Sequence, residues 1–381
     1  MASNRTVLFY ASCLAIFMFG VSLTVLGAML PTIMDSFSID KANAGSLFFL
    51  LSLGMLTGSL LFGPIVDRYG YKFLLILACV GILIGLNGLA FAQRVAHLRV
   101  LMFIVGLAGS IINAGTSALV SDISESRRSS DLSLLGVFYG LGAFSIPLLI
   151  GSLSKTFGAD KIILGIGSLV LLPIAFFFAL RFPRPKQQQG VALHKLLAMI
   201  KETPLLMAGA FLFFQSGLEL TAGGWSATFM REVLQIETNR AVTFLSLLML
   251  AMMAARLMLP RLLARYGAAT TLRAFILIGL TGAILMVVST QLWLTLLGLV
   301  SLGFGLAAGF PVILGYVGDR YRELSGSAFG LVFTMALTGS MVLSTLSGVL
   351  GEAVGLRYAF ILMPASLIIQ WIIFLFIIRR Y

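Results

Sequence analysis

The sequence predicts an all-α membrane protein with twelve transmembrane helices in two pseudo-symmetric six-helix bundles. Three observations predict it: twelve apolar runs of spanning length, a basic charge that alternates between successive connections, and an internal repeat that maps one half of the chain onto the other.

The runs come first. Of 381 residues, 59% are hydrophobic and 10% charged, whereas soluble domains carry about 25% charged residues. A bilayer-spanning helix needs roughly 20 apolar residues. Twelve such runs can be laid down, at 7–34, 45–66, 73–92, 100–121, 132–153, 162–180, 204–230, 241–263, 272–290, 292–317, 327–350 and 358–378. They are continuous and lack the alternation of a membrane barrel, so they are read as helices. The first run is taken as a span rather than a cleaved leader, because it is long, preceded only by Arg5, and continues past Pro31.

The charge of +12 would suggest nucleic acid in a soluble protein; here it reads as topology, and no nucleic-acid partner is expected. Seventeen Lys and Arg fall in the connections or at the run ends on the side of the N-terminus and eight on the other, and Arg256 is the remaining one, deeper inside a run. The positive-inside rule then places both termini in the cytoplasm and the chain in the inner membrane, as a multi-pass protein. The longest polar stretch, 181–203, holds Pro183, Pro185, three Gln and an amphipathic piece at 193–200. It divides the chain into a bundle at 1–180, a cytoplasmic linker with a short surface helix, and a bundle at 204–381.

The repeat has an offset of 197. Asp67-Arg68-Tyr69-Gly70 maps onto Ala264-Arg265-Tyr266-Gly267, Asp122 onto Asp319, and Val7 onto Pro204. Duplicated six-helix units are characteristic of secondary transporters.

The segment Gly63-Pro-Ile-Val-Asp67-Arg68-Tyr-Gly70-Tyr-Lys72 resembles the loop motif G-x-x-x-D-R-x-G-x-K/R of the major facilitator superfamily. The resemblance implies that family's fold. It also implies that Asp67, Arg68 and Lys72 tie helix ends on the cytoplasmic side and hold the outward-facing state closed there. Asp122 and Asp319, at matching span ends, and Arg256 are assigned to the same gate. The second motif copy has Ala264 in place of the acid, so the latch is expected in the first half.

Two further stretches resemble the fucose–galactose–glucose:proton symporter branch: Asn113-Ala-Gly-Thr-Ser-Ala-Leu-Val through Arg127-Arg128 to Tyr139-Gly-Leu-Gly-Ala143, and Gly217-Leu-Glu219 with Trp225 six residues on. Members of that branch commonly carry a carboxylate in span four, where this chain has Asn113.

Of fourteen acidic residues, thirteen fall in loops or at helix ends, and Glu219 alone lies well inside a span. An ionised carboxylate there is costly, so such residues face cavities and mark substrate or ion pathways. Glu219 is therefore the expected proton carrier and a hydrogen-bond acceptor for solute hydroxyls. Asn113, Tyr139, Gln215, Glu219 and Trp225 are the expected solute contacts: amides offer paired donors and acceptors, and an indole face stacks on a sugar ring. Gln215 and Glu219, four apart, share a helix face. Asn87 and Gln370 are read as packing groups, because in the family their spans lie outside the cavity.

Arg256 is not expected to reach Glu219. Counted from the span ends, Glu219 lies ~22 Å and Arg256 ~10 Å from the inner surface at 1.5 Å per residue, a gap of ~12 Å. Arg256 is instead expected to snorkel toward the inner vestibule.

Cys13 and Cys79 sit in apolar runs, so neither a disulfide framework nor a metal site is indicated, and no cofactor is expected. The Gly303–Pro311 stretch lacks the Lys-Ser/Thr of a nucleotide loop and reads as close packing and bending. The expected function is not enzymatic: a secondary active transporter of a small polar organic solute, of sugar type, working by alternating access as a monomer with proton coupling, Na⁺ being possible. The alternatives are a passive sugar carrier, a proton-coupled exporter of amphipathic compounds, and a non-transporting membrane protein.

Overall fold

The computed structural model describes residues 2–124, 128–183, 202–321 and 325–378. Among them are twelve helices long and apolar enough to cross a membrane: span 1 Arg5–Phe37, span 2 Lys41–Val66, span 3 Arg68–Leu89, span 4 Val95–Ile123, span 5 Asp131–Phe157, span 6 Ala159–Ala179, span 7 Thr203–Val233, span 8 Thr238–Tyr266, span 9 Ala268–Val288, span 10 Leu292–Arg320, span 11 Ala328–Val354 and span 12 Leu356–Ile378. Each corresponds to one of the twelve runs, with ends shifted by a few residues. The surface helix expected at 193–200 lies outside the described residues.

The connections carry the repeat in their backbone. Six residues have positive φ among those described: Ser38, Gly70, Gly158, Gln235, Gly267 and Gly355. They form three pairs, each 197 residues apart: Ser38 with Gln235, Gly70 with Gly267, and Gly158 with Gly355. Gly70 (φ 77, ψ 170) separates spans 2 and 3, and Gly267 (φ 76, ψ 164) separates spans 8 and 9. That conformation is open almost solely to glycine, since a Cβ would clash with its own backbone. The motif glycine of the sequence is thus a turn requirement in both copies. Gly70→Ala should lower stability by ~1–3 kcal/mol through backbone strain alone, because a Cβ there meets nothing within 4 Å. Thermal unfolding in detergent checks this against Gly136→Ala, a helical glycine with equally open surroundings, which should be neutral or stabilising.

The chain forms two compact units. Unit 1 comprises Met1–Ser38, Ser46–Gln188 and Thr238–Ser246; unit 2 comprises Ile39–Gly45, Gln189–Glu237 and Leu247–Tyr381. Within unit 1, span 1 packs most extensively on span 5, and within unit 2, span 7 does the same with span 11. Small residues bring the backbones together: a Cβ on Gly142 would collide with the Phe17 carbonyl, and one on its repeat mate Gly339 with the Phe213 carbonyl. In unit 1, the hydroxyl of Ser154 donates to Asn239 Oδ1 at 3.2 Å. In unit 2, the Lys41 ammonium lies 3.3 Å from Glu232 and 3.8 Å from Glu352.

Candidate functional site

Span 7 is the least apolar of the twelve, and its polar groups converge on one place. Glu219 projects from its middle with 19% of the side chain exposed. One turn earlier, Gln215 is buried, as is Gln370 of span 12. The Gln215 amide nitrogen donates to Glu219 Oε1 at 2.9 Å and to the Leu306 carbonyl at 2.7 Å. Its Oε1 accepts from Gln370 Nε2 at 3.1 Å, and the same Gln370 nitrogen donates to the Phe211 carbonyl at 3.2 Å. The order of the amide is forced: between a carboxylate and a carbonyl, Gln215 must present its NH₂ to both.

The Leu306 carbonyl takes this donor at a break in span 10, which runs as a helix over Leu292–Leu306 and again over Gly309–Arg320. Pro311 has no N–H, so the ladder cannot run unbroken here. Broken spans with backbone groups turned inward are a recurrent way to build a polar site in a membrane. Gly309, at the start of the second segment, leaves room for Gln215, since a Cβ there would run into the Gln215 side-chain oxygen.

Arg256 of span 8 completes the group. Its Nη2 lies 3.6 Å from Glu219 Oε2, and 30% of its side chain is exposed. This corrects the expectation that Arg256 snorkels away. Span 8 extends to Tyr266, three residues beyond the end read from the sequence, which puts Arg256 ~15 Å and Glu219 ~24 Å from the basic ends of their helices, a gap of ~9 Å. Side chains lean toward the N-terminus of their own helix. Spans 7 and 8 run in opposite directions, so Glu219 and Arg256 lean toward each other and close that gap. Gln370 is a second correction: it is no remote packing group, but stands behind Gln215 in the same hydrogen-bonded chain.

The family model for the Major Facilitator Superfamily matches residues 12–290. The chain belongs to that superfamily. It is a membrane transporter, in a family that does not consist of enzymes. The fold agrees: the crystal structure of nucleoside transporter NupG superposes with a TM-score of 0.79 at 16% identity, over 98% of this chain and 99% of that one. Among curated relatives, the sodium-dependent glucose transporter 1 of Xenopus laevis is 24% identical over 359 residues, 87% of this chain and 73% of its own length. The arabinose-proton symporter of Escherichia coli is 26% identical over 248 residues, 64% of this chain and 51% of its own.

The remaining expected residues of this superfamily member sit elsewhere. Asn113 is exposed on span 4 and Tyr139 half-buried on span 5, the Tyr139 ring 5.5 Å from that of Phe19; both belong to unit 1. Trp225 is corrected: its indole is fully buried, and its N–H donates to the Ser344 carbonyl at 3.0 Å. Stacking on a sugar needs an open ring face, and this ring has none. Trp225→Ala should therefore cut stability by ~3–5 kcal/mol, as for a large core truncation, read as lost folded protein rather than weakened solute binding.

Among the loop-motif residues, the side chain of Asp67 lies outside the described residues. The Arg68 guanidinium sits 5.4 Å above the Tyr69 ring, and Arg265 repeats this over Tyr266 at 5.2 Å. The Lys72 ammonium donates to the carbonyls of Phe178 and Leu180 at 2.7 and 3.2 Å, which caps the end of span 6 with a cation. Asp122 Oδ2 accepts from the Tyr71 hydroxyl at 2.8 Å. Asp319 lies next to last in span 10.

Proposed function

We propose that this transporter is a proton-coupled carrier of a small polar organic solute of sugar type, working by alternating access. The observation that carries the reading is the placement of Glu219. It is the one carboxyl well inside a span, mostly buried, with one oxygen held by Gln215 and the other beside Arg256. A carboxyl so placed can take and release a proton, and its neighbours hold its geometry while it does so. Asn113 and Tyr139 are proposed as solute contacts of unit 1, and Asp67, Arg68, Lys72, Asp122 and Asp319 as the inner gate. The named sugar transporters among the relatives support the solute class. The seventeen-to-eight bias of Lys and Arg supports an inner-membrane location with both termini in the cytoplasm.

Reconstituted protein should accumulate a labelled hexose or pentose against its gradient when a pH gradient is imposed, without added Na⁺. Accumulation that needs Na⁺ and ignores the pH gradient would assign sodium coupling. Equilibration without accumulation under either gradient would assign a passive carrier.

A further inference from the structure

The pairing of Glu219 with Arg256 constrains the solute further, on the reading that Glu219 carries the proton. With the carboxylate ionised, the pair is neutral. The other acids that can be placed lie at or beyond the ends of their spans, so no second carboxylate stands at this depth among the described residues. Protonation of Glu219 therefore raises the local charge from zero to +1. Removing the counter-charge of a partly buried cation is strongly unfavourable. Besides Arg256, the described neighbours of Glu219 and Gln215 within unit 2 are neutral: the Leu306 carbonyl of span 10, Leu343 of span 11, packed on Gly217, and the Gln370 amide of span 12. A neutral sugar supplies no negative charge either.

We propose that the solute is a monoanionic polyol, a sugar acid, whose carboxylate takes the place of Glu219 against the Arg256 guanidinium. The exposed part of Arg256 and the planar fork of guanidinium donors suit a carboxylate. The charge balances: one proton goes to Glu219 Oε2, the solute carboxylate pairs with Arg256, and one H⁺ and one monoanion cross together with no net charge moved.

The test compares glucuronate and gluconate with their uncharged counterparts glucose and sorbitol. The readout is the thermal unfolding of the purified protein at acid and neutral pH. The acid form should be stabilised by a carboxylate probe at a concentration at least about tenfold below that needed for its neutral counterpart, as expected for a charge-assisted pair. Glu219→Gln, which mimics the protonated form, should show the same preference at neutral pH; Arg256→Gln should lose it, and Arg256→Lys should keep part of it. In proteoliposomes, proton-driven uptake of the carboxylate probe should be indifferent to a membrane potential clamped with potassium and valinomycin. The proposal is overturned if neither carboxylate stabilises Glu219→Gln, if glucose or sorbitol does so equally well, or if transport moves net positive charge. Should Glu219→Gln fold poorly, wild-type protein at acid pH answers the same question. Failure of the proton-carrier reading is a separate result, namely gradient-driven uptake that survives in Glu219→Gln.

Discussion

Uphill accumulation of solute should vanish in Glu219→Gln, with the steady-state ratio across the membrane falling to about one, while exchange of labelled for unlabelled solute continues. Glutamine keeps the shape of the side chain and can still accept from Gln215, whose amide lies 2.9 Å from Glu219 Oε1. It cannot release a proton. Exchange needs only that the loaded carrier turn back and forth, whereas accumulation needs the empty carrier to return deprotonated. No other acid can take over, because every other one falls in a loop or at a helix end. Arg256 loses its counter-charge in this variant, which costs stability, so both readouts are normalised to the amount of folded protein. Proteoliposomes loaded at alkaline pH and diluted into acid buffer give both readouts from one preparation. Accumulation at the wild-type ratio would sink the proton-carrier role.

Gly309→Ala should reduce transport by roughly 10–100-fold with little loss of folded protein. The added methyl collides with the Gln215 side-chain oxygen, and the amide must leave its place between Glu219 and the Leu306 carbonyl. A hydrogen bond to a charged group is worth about 1.5–3 kcal/mol, and about 1.4 kcal/mol is tenfold in rate. Alanine is a better helix former than glycine, so the helix that starts at Gly309 should not suffer. The decisive measurement is a double-mutant cycle. In a Gln215→Ala background the obstruction is gone, so adding Gly309→Ala should change nothing more. An equal loss in both backgrounds would show that Gly309 acts through the bend of span 10 and not through Gln215.

Much of the fold was legible because membrane helices advertise themselves in continuous apolar runs, and all twelve fall within a few residues of the spans. The repeat is visible in three sequence matches, yet its clearest expression is conformational: Ser38 and Gln235 share a positive φ with no identity to reveal it. The place of Glu219 in mid-span was legible because an acid stands out in an apolar run. The groups around it were harder. Arg256 escapes a count of residues because a three-residue error at a helix end moves a side chain by ~4.5 Å, and because side chains on antiparallel helices lean toward one another. Gln370 needed knowledge of which way span 12 faces, which an apolar sequence on all sides does not give. Trp225 carries the same composition signal whether it lines a cavity or fills a core, and only its burial decides.

The offset of 197 offers a way to separate machinery from scaffold: subtract one half of the protein from the other. The left-handed turns cancel, as do Gly142 and Gly339 where helices touch. Around the acid nothing cancels. The counterparts of Gln215, Glu219, Arg256 and Gln370 are Met18, Ser22, Ser59 and Pro173, and Gly309 corresponds to Ile112. Span 4, the counterpart of span 10, is one uninterrupted helix. The two halves thus share a frame, and the embedded charges and the break of span 10 belong to the second alone. A chimera joining two copies of the first half should therefore be able to fold and insert, but would have no carboxyl in the middle of a span with which to bind a proton.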